Sequence, residues 1–285
     1  MQRNQNVRKT DDCSRSVRML PLASGYRSAA LPDLDGKIVL VTGASKGIGA
    51  ATAGILSAEG ASVIAHFRSD RSGVEAALAD APPERKHFLA ADQADPNAMD
   101  GLWEAALAWR GRIDVVVLNA AIMEWSGGIE DDIEAWDAAW ARQWAVNVLG
   151  PARLMRHAVR HFKPRGGGIL ITVSSWAAQR GVTNPSMIAY AASKAAIKAA
   201  AQTVARGYAK DGILSYVVAP GVVRTRMSED FAALQGGEDK VTAGLAMGEW
   251  VPPSDIGHLV AFLASGRSRH LTGATIDVNG ASYVR

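Results

Sequence analysis

From Lys37 onward the chain alternates short runs rich in β-branched residues with longer alanine-rich stretches of helical periodicity, and this alternation restricts the fold more than any other feature. The apolar runs cover 38–41, 62–67, 86–89, 113–118, 168–173, 213–219 and 275–278, and the helical patterns cover 48–57, 73–78, 99–109, 133–161, 190–210 and 254–264. Runs that are apolar throughout, rather than at every second residue, belong to strands buried on both faces. That happens when helices return the chain over a parallel sheet. The expected class is therefore α/β, a single doubly wound seven-stranded parallel sheet with helices on both faces. Ligands of such sheets bind outside the carboxyl ends of the strands, so the loops there carry the functional argument.

Several function classes fall away on composition. No apolar run reaches the roughly 18–20 residues that cross a bilayer, and the alanine-rich stretch after Tyr190 is interrupted by Lys194 and Lys198. The one cysteine, Cys13, cannot form an internal disulfide or a metal cluster, so no metal site is expected and a reducing, cytoplasmic setting is. Residues 1–30 hold Arg3, Arg8, Lys9, Arg15, Arg18 and Arg27 against Asp11 and Asp12, which is +4 of a chain total of +3. They lack apolar periodicity and read as a flexible N-terminal extension, while 31–285 forms the catalytic domain. The two acids and the missing apolar core argue against a targeting segment. With a net charge of −1, the body has no electrostatic footprint for nucleic acid. A small-molecule ligand is expected.

The first strand ends in Thr42-Gly43-Ala44-Ser45-Lys46-Gly47-Ile48-Gly49, and a helix follows. Glycines at such a junction let the backbone turn tightly and approach a pyrophosphate, which the helix N-terminus favours electrostatically. The loop therefore predicts a dinucleotide, on a Rossmann-like fold, with Gly43, Ser45, Lys46, Gly47, Ile48 and Gly49 around it. An acid closing the second strand would select a free ribose 2′-hydroxyl, but this strand runs into His66-Phe67-Arg68-Ser69. Arg68 and Lys46 either seat a 2′-phosphate, which favours NADP(H) over NAD(H), or are solvated surface cations.

Tyr190 and Lys194 lie four residues apart, hence on one face of a helix. A free phenol has a pKa near 10. A cation about 5 Å away contributes roughly 3 kcal/mol at an effective dielectric near 20, or about two pKa units, which would bring the phenol into range for proton transfer. Around this pair stand Thr42-Gly43-x-x-x-Gly47-x-Gly49, Asn119-Ala120-Ala121, Asn147, Ser174-Ser175 and Pro220-Gly221-x-x-x-Thr225. They are followed by Leu271-Thr272-Gly273 and Ile276-Asp277-Val278-Asn279-Gly280. In this order and over nearly the whole body, the chain resembles the classical short-chain dehydrogenase/reductase family.

The resemblance implies an oxidoreductase that interconverts a secondary alcohol and a ketone by hydride transfer. Tyr190 would be the general acid/base, Lys194 would lower its pKa and hold the nicotinamide ribose, and Ser175 would hydrogen-bond the substrate oxygen. Asn147, in the long helix before the fifth strand, would hold a water that relays protons to Lys194. Asp92 would contact the adenine and Asn119 and Ala120 would line the cofactor. Pro220, Gly221, Val223 and Thr225 would seat the carboxamide. The family also implies a homo-oligomer, a tetramer or a dimer, joined through the helices at 133–161 and 190–210. The chain departs from the family at Ala121, where a glycine is usual, at Asn279-Gly280-Ala281, and in the fifteen residues from Ser175 to Tyr190, a slightly longer span than usual.

Trp125, Trp176, Met187 and Met123 follow strands at the catalytic edge and are expected to surround a bulky apolar substrate, each with core packing as the alternative. Phe231, Leu234, Met247 and Trp250 fall in the segment resembling the family's substrate lid, and Glu124 either binds a polar substituent or faces water. A catalytically silent, cofactor-sensing protein on the same fold is the competing reading, since fold does not fix function. Epimerase or dehydratase chemistry on a sugar nucleotide fits less well, because little chain follows Thr225.

Overall fold

The computed structural model describes residues 34–285. The extension at 1–30, Cys13 included, lies outside the described residues. Seven parallel strands form one sheet, β1 (Ile38–Val41), β2 (Ser62–Phe67), β3 (Lys86–Ala90), β4 (Val115–Leu118), β5 (Gly168–Val173), β6 (Ile213–Pro220) and β7 (Thr275–Val278), in the order β3-β2-β1-β4-β5-β6-β7. The order reverses at β1 and β4, which pair with Val39 opposite Val115 and Val41 opposite Val117. β4 starts two residues later than its apolar run, because the Asp114 carboxylate accepts the Ile38 N–H at 2.8 Å before the ladder begins.

Alternate residues of the strands feed two cores, as the period of two requires. One face is covered by α1 (Gly47–Ala58), α2 (Arg71–Ala77) and α10 (Pro253–Ala264), with Val39, Val63, Val117, Ile171 and Tyr216 beneath them. The other is covered by α3 (Pro96–Arg110), α5 (Gly150–Phe162) and α7 (Ile188–Tyr208), over Leu40, Ile64, Val116, Leu170 and Val217. The doubly wound architecture is thus built from the buried strands the sequence displays. Among the described residues, no helix is long and apolar enough to cross a membrane.

The helix expected at 133–161 is not continuous. It consists of α4 (Ile133–Trp144), a π-helical turn over Ala145–Leu149, and α5. The cause is readable: Pro151 has no N–H to offer the carbonyl of Asn147, four residues earlier, so the ordinary ladder cannot pass through this point. Three short helices had no sequence signal strong enough to place them, α6 (Ala177–Arg180), α8 (Arg226–Leu234) and α9 (Glu238–Ala243), and all follow β5 or β6 at the carboxyl edge.

Candidate active site

Every expected cofactor and substrate residue, together with Ser175, Tyr190 and Lys194, lines one cavity of about 820 Å³ at the carboxyl edge of the sheet. Asn147 is the exception among the four expected catalytic residues. It is buried behind the wall.

The glycine loop forms one end. Gly43 (φ +67) and Gly47 (φ +54) adopt the left-handed region, and a Cβ on Gly49 would run into the Gly43 carbonyl and the Asn119 amide. Lys46 stands at the N-cap of α1 and makes no side-chain capping bond, whereas Asp70, Asp95 and Asp132 cap α2, α3 and α4. The first N–H groups of α1 are therefore left for a ligand. Neighbouring loops hold the cradle. Thr42 Oγ1 accepts from the backbone N–H of Asn119 (2.9 Å) and Ala120 (3.0 Å), and the Asn119 side-chain amide donates to the Thr42 carbonyl at 2.9 Å.

His66, which the sequence gave no reason to single out, also holds this loop. Its Nδ1 accepts the Gly43 N–H at 3.2 Å, and its Nε2 lies 3.0 Å from the Ala91 carbonyl, which only an N–H can satisfy. The ring is thus the neutral Nε2–H tautomer, and burial lowers its pKa in the same sense. Arg68 follows β2 at the cavity mouth with no carboxylate at ion-pair distance among the described residues. Asp92 uses one carboxylate oxygen to accept from Ala94 N at 2.9 Å. Beside it Gln93, also unforeseen, donates to the carbonyls of Ala120 (3.0 Å) and Val146 (2.7 Å), tying the end of β3 to the π-turn.

The other end holds the titratable pair. Tyr190 and Lys194 are buried one helical turn apart on α7, and the Tyr190 hydroxyl faces the Ser175 side chain. Ser175 pulls the phenol down, but burial wins and pushes its pKa up to about 12. Burial also lowers Lys194 to about 8. Lys194 Nζ donates to the Val173 carbonyl at 2.9 Å and stands 5.9 Å from the Tyr190 ring centroid. Ser174 donates its hydroxyl to the Lys194 carbonyl at 2.9 Å, which leaves Ser175 as the serine facing Tyr190.

The Asn147 side chain is fully engaged by protein. Its Oδ1 accepts from Ile122 N, and its Nδ2 donates to the Ile122 carbonyl, both at 2.9 Å, and to Ser193 Oγ at 3.0 Å. Its backbone carbonyl lacks the α-helical donor that Pro151 cannot supply.

Beyond Tyr190, the segment after β6 meets the glycine loop. A Cβ on Gly47 would come within 2.9 Å of Thr225 Cγ2, and Thr225 caps α8. Gly221 N donates to the Val278 carbonyl at 2.9 Å, and Val223 bridges to Val251. A small apolar cluster joins Tyr190 and Met187 to Met123, Trp125, Trp176, Val182 and Phe231, with the Trp125 and Phe231 rings stacked 5.8 Å apart. The remaining lid residues are not brought there. Leu234 and Met247 are exposed, and Trp250 is buried, donating its indole N–H to Thr242 at 2.8 Å. Glu124 is paired with Arg142 at 2.6 Å and does not line the cavity.

Comparison with known proteins agrees with this fold. Residues 43–281 match the family model described as enoyl-(acyl carrier protein) reductase. The chain is 35% identical over 252 residues to 3beta-hydroxysteroid dehydrogenase 1 of Eggerthella lenta, covering 87% of this chain and 94% of that one. It is 33% identical over 246 residues to cis-4-hydroxycyclohexanecarboxylate dehydrogenase of Sinomonas cyclohexanicum, with 86% and 95% covered. Among solved structures, a dehydrogenase/reductase of Sinorhizobium meliloti superposes with a TM-score of 0.78 at 31% identity, over 89% of this chain and 98% of that one. A 3-ketoacyl-(acyl-carrier-protein) reductase of Brucella melitensis, complexed with NADH, does so with a TM-score of 0.78 at 28% identity, over 88% and 100%.

Proposed function

The chain belongs to the short-chain dehydrogenase/reductase family, and from that premise we propose that this NAD(P)(H)-dependent oxidoreductase of CH–OH groups interconverts a secondary alcohol and a ketone, with NADP(H) as its preferred cofactor and Tyr190 as the general acid/base. The observation that carries the reading is the meeting of Ser175, Tyr190 and Lys194 on the wall of a cavity whose far end is the glycine loop. The cradle fits a dinucleotide, since its glycines tolerate no Cβ and α1 begins without a side-chain cap. When bound, the nicotinamide supplies or accepts the hydride.

The protein's part is to hold the substrate oxygen and move a proton. Ser175 Oγ and the Tyr190 hydroxyl, which face each other on the cavity wall, converge on that oxygen. Tyr190 donates its proton to the oxygen in reduction and removes it in oxidation. Lys194 holds the ribose and stabilises the phenolate by its charge. The Asn147 carbonyl, not its side chain, holds the water that passes protons to Lys194. Arg68 and Lys46 seat the 2′-phosphate and Asp92 the adenine, while Asn119 and Ala120 line the cofactor. Pro220, Gly221, Val223 and Thr225 seat the carboxamide. Unpaired Arg68 supports NADP(H), and the Brucella neighbour's NADH leaves the preference to this chain's own residues.

The wall of Trp125, Trp176 and Met187 supports a bulky apolar substrate, as do two relatives named for a hydroxysteroid and a hydroxycyclohexane. The single cysteine supports a reducing, cytoplasmic setting.

Fluorescence titration of the protein with NADPH and NADH is the first test. We expect tighter binding of NADPH, and equal affinities would reduce Arg68 and Lys46 to surface charges. Tyr190→Phe should lower kcat about a hundredfold or more while leaving NADPH affinity within about twofold. Substantial turnover by that variant would overturn the general acid/base assignment.

A further inference from the structure

Four arginines line the cavity, and their partners differ. Arg224 is paired with Glu238 at 2.9 Å and Arg226 with Asp230 at 2.8 Å. Arg68 and Arg180 have no carboxylate at ion-pair distance among the described residues. Arg68 stands at the adenosine end, where the proposed reaction gives it a phosphate. Arg180 stands at the other end, where that reaction gives it nothing.

Arg180 closes α6, the short helix that begins two residues after Ser175. Its guanidinium carbon lies 4.0 Å from the centroid of the Trp176 ring, so the cation rests on the indole. The donors of a guanidinium lie in its plane, and stacking on one face leaves that fork of N–H groups free at the edge. Packing against Trp176 also limits the rotamers of the arginine, so less entropy is lost when an acceptor binds. Trp125, Val182 and Met187 line the same cavity and offer apolar surface to the rest of such a ligand.

We propose that the substrate carries a carboxylate that docks bidentately on Arg180 while its carbonyl or alcohol carbon lies at Ser175 and Tyr190. Arg180 closes α6 while Tyr190 lies on α7, so the acid group and the reacting carbon are held by different elements of the same cavity. The substrate class is then a bulky apolar hydroxy acid and its keto acid. This inference rests on the alcohol–ketone reading of the same site and adds the group by which that site recognises its ligand.

The test is NADPH oxidation by the full chain with alicyclic and aryl keto acids of graded length, each paired with its methyl ester. The expected result is a kcat/KM at least about tenfold higher for the acid of the best pair than for its ester, a preference that falls as salt is raised. Arg180→Gln should bring the acid-to-ester ratio close to one by losing the acid, and Arg180→Lys should restore part of it. NADPH affinity of each variant reports that the fold is intact, and the wild-type ratio tests the proposal even where a variant fails to fold. Reduction of acids and esters with equal efficiency by the wild type, or an unchanged ratio in Arg180→Gln, overturns the carboxylate site and leaves the oxidoreductase standing. Failure to reduce any ketone of the panel while NADPH binds overturns the alcohol–ketone reading and this inference with it.

Discussion

Burial, more than the Tyr190–Lys194 pair itself, governs the electrostatics at the residue scale. Sequence spacing puts a cation one helical turn from a phenol and predicts a lowered pKa. In the structure the phenol rises to about 12 and the ammonium falls to about 8, because both are desolvated. Stability should record this. Between pH about 8 and 10.5 the unfolded chain holds the lysine proton that the folded chain has released, so stability from this group rises with pH across that window. For Tyr190 the unfolded chain loses its proton first, and stability falls as pH rises from 10 to about 12. Thermal melts without cofactor should therefore show Lys194→Met gaining most over wild type near pH 7, with the gap closing towards pH 10. A gap independent of pH would mean that Lys194 is not held against its ionisation.

The decisive piece among the elements is the π-turn at Ala145–Leu149. It shifts the register between α4 and α5, and the Asn147 amide then reaches both Ile122 and Ser193. Gln93 accompanies it by donating to the Val146 carbonyl. Pro151→Ala would supply the missing N–H and allow the ladder to continue as an α-helix. We expect kcat to fall about tenfold or more while NADPH affinity changes little, since the glycine loop belongs to a different element. Wild-type kcat in this variant would show that the turn is not needed for proton relay. α1 too begins without a side-chain cap, as α5, α7 and α10 do, and its first residues, Gly47, Ile48 and Gly49, line the cavity.

The whole molecule has an apolar stripe that its own fold leaves half covered. Along α4, Trp136, Trp140 and Trp144 stack at 5.1 and 6.4 Å, and Ile133 and Leu149 at either end are exposed. A second copy of the chain is the occupant we propose, forming the homotetramer or dimer through the α4–α5 and α7 helices. Light scattering on the eluted protein should give a mass above that of one chain, and Ile133→Glu with Leu149→Glu should lower it. A wild-type monomer at micromolar concentration would remove the assembly from the account.

The sequence by itself determined the seven strands, the glycine cradle and the Tyr190–Lys194 spacing. Each is a local pattern, whether an apolar period, a turn that needs glycine or a helical repeat. Tertiary structure alone decided which side chains have partners. Asn147 finds Ile122 and Ser193, and Glu124 finds Arg142. Trp250 packs away beneath Thr242 while Trp125 stays at the ligand wall. Arg180 differs from Arg224 and Arg226 in no way that composition reveals, and only the positions of Glu238, Asp230 and the Trp176 ring leave it without a carboxylate at ion-pair distance among the described residues. Local geometry follows from neighbours along the chain, whereas satisfaction of a charge or an amide depends on groups that only folding brings within reach.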